Sequence, residues 1–199
     1  MVSDVTTDVV DYWLGRKKSP DVASYCATRD IFQARLDSFL RLFLKKNKNA
    51  NDASLLVAIV GEAGNNSFDH NLGQWIDLPG CWFGYALEPA SVTVALADRG
   101  RGILSSLKTV ESHLTDEQQA IEIAFSKAVS GRFPERRGNG LKFVRKVING
   151  NSNRGLFCQS GSGIMVLGGL TTEIEKVMSL KAGQEVAQGT MTLIRWDLS

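Results

Sequence analysis

The stretch from Gly61 to His70, GEAGNNSFDH, gathers several side chains able to do chemistry. Residues three and four apart share a face of an α-helix, so Glu62, Asn66, Asp69 and His70 fall in one polar stripe. An asparagine side-chain oxygen is a hard, neutral ligand suited to Mg²⁺, which takes oxygen donors and usually keeps several waters. A glutamate one turn away can orient or deprotonate a water aimed at a phosphate. Asp69 can bind a metal-coordinated water. His70 can contact a phosphate, or it can be a structural hydrogen-bond donor at a helix end. Asn65 points about 100° away around the helix and takes no catalytic role. The competing reading is a solvated helix face that happens to carry asparagine. Two adjacent asparagines are poor helix formers, and that cost hints at a site.

Two glycine motifs follow. ADRGRGI has the form Asp-x-Gly-x-Gly at Asp98, Gly100 and Gly102, directly after an apolar run. A carboxylate at a strand end can accept a hydrogen bond from an exocyclic amine such as that of adenine, and glycines let the backbone turn sharply beside a planar ring. An ordinary Asp-Gly turn is the plain alternative. RRGNGLKFV places Gly138, Asn139 and Gly140 before a predicted helix at Leu141. Free N–H groups at a helix start attract anions, and Arg136 and Arg137 add positive charge at the mouth. The spacing is neither that of a P-loop nor that of a dinucleotide-fold fingerprint.

The elements that must position these groups follow from periodicity and turn residues. Asp4 to Leu14 suggests a short helix. Asp30 to Lys46 carries Ile31, Leu36, Phe39, Leu40 and Phe43 at helical spacing, with Asp30 as the expected N-cap. The next helix starts near Asp52 or Ser54 and reaches about His70. CWFGYAL and SVTVALAD form a predicted hairpin. In the second run Val92, Val94 and Leu96 share one face while Ala95 and Ala97 keep the other small and apolar, as in a strand covered on both sides. A lid-like stretch from Ile103 to Arg137 contains one predicted helix, Asp116 to Val129. A helix from Leu141, a second hairpin (GLFCQ and GIMVLGG), a short helix or loop from Glu173 to Leu180, and a closing strand, GTMTLIRWDL, complete the chain. The expected fold is an α/β (α+β) two-layer sandwich, with helices on one face of a mixed, mostly antiparallel sheet.

Composition narrows the function classes. The chain has 199 residues, 43% hydrophobic and 22% charged, with a formal net charge of +2. That charge is too small to argue for nucleic acid or an anionic membrane as the main partner. The basic run at Lys45 to Asn49 fits a solvated helix C-terminus. Cys26, Cys81 and Cys158 are widely spaced and odd in number, which argues against a disulfide framework or a zinc site. No apolar run approaches the roughly 20 residues needed to cross a bilayer, and the N-terminus lacks the pattern of a signal peptide. The expected setting is cytoplasmic, with no nucleic-acid or membrane partner.

In their order along the chain, these motifs resemble the GHKL superfamily of ATPases, named for gyrase, a heat-shock chaperone, histidine kinases and MutL. EAGNN matches that family's Glu-x-x-x-Asn box, which implies Glu62 as catalytic base and Asn66 as the Mg²⁺ ligand. DRGRG looks like its first glycine box, implying Asp98 as the adenine ligand. GNGL looks like its second, with Gly138, Gly140 and Leu141 under the phosphates of ATP. GTMTLI resembles the last-strand motif, where Thr190 joins Asp98 at the adenine through water. The likeness spans Asp30 to Leu198 and implies a Bergerat-type ATP-binding domain over residues 30–199, with a helical extension over 1–29 that the likeness does not explain. The Glu62, Asn66, His70 spacing is most similar to that of small anti-sigma-factor serine kinases. The resemblance therefore implies phosphotransfer to serine or threonine of a regulatory protein partner in bacteria, or slow ATP hydrolysis. The alternatives are a nucleotide-dependent interaction switch and the catalytic module of a split histidine kinase. The two histidines, His70 and His113, offer no phosphoacceptor box, and no second domain with a catalytic lysine is expected in this length. The segment from Met1 to Thr28 is expected to make a homodimer or partner contact.

Overall fold

The structure, a computed structural model, describes residues 4–16, 20–46, 49–71, 73–126, 139–169, 171–181 and 187–198, with backbone alone for 171–174. Three central strands set the frame. Strand β3 (Ser91–Asp98) is buried along its whole length, and it pairs with β2 (Cys81–Leu87) on one side and β6 (Thr190–Asp197) on the other. Beyond β6 lie β4 (Arg154–Ser160) and β5 (Gly163–Gly168), and beyond β2 lies the two-residue β1 (Tyr25–Cys26). The order is β1-β2-β3-β6-β4-β5, and every pairing is antiparallel. The expected mixed sheet is thus corrected to a fully antiparallel one among the described strands. Strand β1 was not foreseen, because two residues are too few for any alternation to register.

One face of the sheet carries α2 (Arg29–Lys46), α3 (Ala50–Asp69) and α6 (Gly140–Asn149). Phe32, Phe39, Leu56, Ile59, Val60 and Val144 pack there on Val92, Val94, Leu96 and Ile194. Helix α3 starts at Ala50, a little earlier than expected, because the Asn49 side chain accepts from the Asn51 and Asp52 N–H groups. Asp30 is not the cap of α2. It sits inside the first turn, and the Thr28 hydroxyl accepts from the Ile31 N–H at 3.3 Å. At the other end of α2 the Lys46 ammonium donates to the Leu87 carbonyl oxygen at 2.9 Å.

The opposite face is covered as well. Helix α1 (Val5–Trp13) buries Val9, Val10, Tyr12 and Trp13 against Trp82, Ala95, Ala97, Met191 and Leu193, and Val177 of α7 (Thr171–Lys181) joins that cluster. The expectation of helices on one face only is therefore wrong. The small apolar face of β3 is the seat of α1, and the molecule has three layers. The stretch from Ile103 to Arg137, expected to be lid-like with one helix, carries two helices in and around its described part, α4 (Gly102–Leu107) and α5 (Glu117–Ser126), with Leu107, Leu114 and Ala120 forming a small core between them. The C-terminal end of the helix expected over 116–129, and the rest of that segment to Arg137, lie outside the described residues. Among the described residues no helix is long and apolar enough to cross a membrane.

Candidate functional site

A cavity of about 320 Å³ opens between α3, the C-terminal end of β3, the start of α4 and the start of α6. Its floor is two rows of side chains, one across β3 and β6 and the other across β3, β6 and β4. Asp98 lies beside Thr190, and Leu96 lies beside Thr192 and then Cys158. Antiparallel register aligns these rows, because side chains opposite one another point to the same face. Burial pushes the Cys158 thiol up to about 12, despite the Thr192 hydroxyl that donates to its sulfur. That thiol is 1% exposed and packs in the cavity floor.

Helix α3 forms one wall. Glu62, Asn66, Asp69 and His70 all line the cavity, as the stripe on the sequence implied. They differ in how far they are committed. Asn66 and Glu62 make no side-chain hydrogen bond or ion pair with the described residues. Glu62 reaches the first residue of α6, where a Cβ at Gly140 would stand 2.3 Å from its Oε2. Asp69 is ion-paired with Arg29 at the start of α2. His70 shares a hydrogen bond of 2.9 Å between Nδ1 and the Ser106 hydroxyl. Burial, then the nearby Arg101 charge, hold that imidazole below its ordinary pKa, so it is neutral at pH 7. Of the two readings of His70, the geometry favours the structural hydrogen bond. Asn65 faces α2, where its Oδ1 accepts from Gln33 at 3.0 Å.

Asp98 is the most deeply held group. It is 3% exposed and accepts from the Ser67 hydroxyl at 2.9 Å, the Asn71 amide at 3.0 Å and the Gly100 N–H at 2.9 Å. Burial raises its carboxyl to about 6, and those donors, with the Thr190 N–H, hold it from rising further. It is ionised at pH 7 and remains an acceptor for a donor arriving through the cavity. Gly102, with φ of +78°, lines the cavity and begins α4. Gly100 does not line it. A Cβ there would lie 1.9 Å from the Asn71 Cγ, so the missing side chain makes room for Asn71 and not for a ligand ring.

Asn139, Gly140 and Leu141 reach the cavity from the start of α6, whose N-cap residue, Asn139, makes no side-chain capping bond. The first N–H groups of that helix can therefore meet an anion. Arg136, Arg137 and Gly138 lie outside the described residues. Four participants were missed in the sequence. Ser67 and Asn71 hold Asp98, and Asn71 Nδ2 also donates to the Ser67 carbonyl while its Oδ1 accepts from the Arg101 N–H. Ser160 accepts from the Ile103 N–H at 2.8 Å and so pins α4. Arg29 brings a guanidinium to the rim. Only Asn71 left a trace, four residues after Ser67.

The arrangement offers a recessed acceptor at one end and a polar wall at the other. Among the described residues no three His, Cys, Asp or Glu side chains converge as a metal cluster. A divalent cation here would take Asn66 as its protein ligand and fill its other positions with water or ligand oxygens, which suits Mg²⁺ and not zinc. No protein-family model matches this chain, and no curated protein matches its sequence.

Proposed function

We propose that this chain is a Mg²⁺-dependent ATP-binding domain of the GHKL type, with a Bergerat-like fold. Its activity is phosphoryl transfer to serine or threonine of a regulatory protein partner, or slow hydrolysis of ATP. The observation that carries the reading is convergence. Glu62 and Asn66, Asp98 and Thr190, and Asn139 to Leu141 come from separate parts of the chain and line one cavity. Its volume, about 320 Å³, falls within the roughly 300–1,000 Å³ of small-molecule sites. A three-layer antiparallel α+β protein is compatible with this reading but does not require it.

In this reading Asp98 accepts from the exocyclic amine of adenine, and Thr190, its neighbour across the ladder, completes that end through water. Asn139, Gly140 and Leu141 present backbone N–H groups to the phosphates. Asn66, which has no other partner among the described residues, is available to the metal. Bound Mg²⁺ would neutralise phosphate charge. Glu62, exposed and without a side-chain partner among the described residues, takes a proton from the attacking hydroxyl or water. Fixed groups of this kind act mainly through positioning and charge.

Equilibrium binding of ATP with Mg²⁺ tests the reading. Asn66→Ala and Asp98→Asn should each lose binding, while Glu62→Ala should bind normally and lose turnover. A wild-type protein that binds no adenine nucleotide would end the proposal. One that binds ATP but neither hydrolyses nor transfers phosphate would instead be a nucleotide-dependent interaction switch.

A further inference from the structure

A polyphosphate site needs positive charge, and the described cavity is poor in it. Its lining carries the carboxylates of Glu62, Asp69 and Asp98 but one Lys or Arg side chain among the described residues, Arg29. Arg29 opens α2, and two contacts fix that helix against α3. Gln33, one turn on, donates to Asn65, and Phe32 lies over Gly64. The guanidinium therefore stands on a held element, as a binding group should. It pairs with Asp69 through Nη2, and its side chain keeps 47% exposure at the rim. A guanidinium has five N–H donors in a planar fork. Those not used by Asp69 have no hydrogen-bond partner among the described residues.

We infer that Arg29 is a phosphate-binding residue of this site, donating to the outer phosphates of a bound nucleoside polyphosphate while its other edge holds Asp69. The inference rests on the nucleotide reading above. The pair with Asp69 has a purpose in that setting. It neutralises a carboxylate that would otherwise repel the phosphates, and it leaves the remaining donors of a cavity-lining guanidinium without a hydrogen-bond partner among the described residues. Arginine suits such a bridge better than lysine, because a planar fork serves two anions at once and an ammonium is a point charge.

The test compares wild type, Arg29→Ala and Arg29→Lys by calorimetry with two probes, adenosine and the β,γ-imido analogue of ATP with Mg²⁺. Arg29→Ala should weaken the imido analogue by about tenfold or more, the size of a lost charge-assisted hydrogen bond, and leave adenosine within about twofold, inside the scatter of such comparisons. Arg29→Lys should recover part of the loss. If both probes weaken equally, Arg29 only supports the fold and the inference is overturned. It is equally overturned if the imido analogue binds Arg29→Ala as it binds wild type, an outcome that leaves the nucleotide reading standing. A wild type that binds neither probe removes the nucleotide reading itself, and Arg29 with it.

Discussion

Glu62 and Asn66 have no side-chain partner among the described residues, while Asp98 is enclosed by donors, and that contrast decides what each can be asked to do. A buried carboxylate raised to about 6, against an ordinary value near 3.9, gives a pH signature of known sign. Its folded pKa is raised, so its contribution to stability is fully present below about pH 4 and is lost as pH rises through about 6. Wild type should therefore gain stability relative to Asp98→Asn as pH falls from 7 to 4, which paired urea titrations would read. If nucleotide binding needs the ionised form, affinity moves the other way and weakens below pH 6, at most about tenfold per unit. Equal pH slopes for wild type and variant would contradict the burial. Asn71 bears on the same group. Asn71→Ala removes a donor from Asp98 and strands Arg101 N–H, so it should cost about 1–3 kcal/mol and raise the Asp98 midpoint further. A carboxyl-detected NMR titration would show that rise, and an unmoved midpoint would count against the assignment. The α3 stripe was legible because helical spacing alone places Glu62, Asn66, Asp69 and His70 together. The clamp on Asp98 was not, because Ser67 and Asn71 meet it only after a separation of 27 to 31 residues.

The α2–α3 pair is the element that presents this wall. It was legible as two helices, since Leu36, Phe39 and Phe43 recur at helical spacing and are buried. How closely they pack was not. A Cβ at Gly64 would lie 2.1 Å from the Phe32 Cζ. Phe32 cannot yield, being fully buried and edge-on to Phe83 at 5.5 Å between ring centres. Replacing glycine by alanine inside a helix ordinarily gains about 1 kcal/mol. Here overpacking, typically 1–3 kcal/mol and occasionally more, should outweigh that gain. Gly64→Ala should therefore lower the melting temperature and, by pushing α2 away, loosen the Gln33–Asn65 and Arg29–Asp69 contacts. A variant that melts at or above wild type would mean the two helices can separate freely. The two hairpins were read correctly for a simpler reason, since alternation and turn residues are local signals.

At the scale of the whole molecule the second helical layer is the largest departure from the expectation. The sign of it was present in Ala95 and Ala97, which left β3 apolar on both faces, but the family likeness begins at Asp30 and leaves α1 unexplained. The structure ties α1 to the site loop. Arg99, only 6% exposed, donates from Nε to the Tyr12 carbonyl at 2.8 Å and lies 4.7 Å above the Tyr12 ring, while Nη1 reaches Asp77 at 2.7 Å. The residue following the key carboxylate thus points away from the cavity and anchors the far layer. The energetic weight of that layer can be set against the whole. Val9, Val10, Tyr12 and Trp13 are each at most 1% exposed, and full burial of one large apolar side chain is worth about 1.5–3 kcal/mol. Four such groups are comparable with the entire stability of a domain, about 5–15 kcal/mol. A chain beginning at Pro20 would also uncover Trp82, Ala95, Ala97, Met191 and Leu193 as one apolar face, and exposed patches of that kind promote association. That truncated chain should therefore lose its cooperative thermal transition, bind a hydrophobic dye and self-associate at concentrations where the full chain does not. Trp13→Ala gives the graded version, a destabilisation of about 3–5 kcal/mol measurable by urea titration. A truncated chain that still unfolds cooperatively near the full-length midpoint would make α1 an appendage, and the apolar face of β3 would then need another cover.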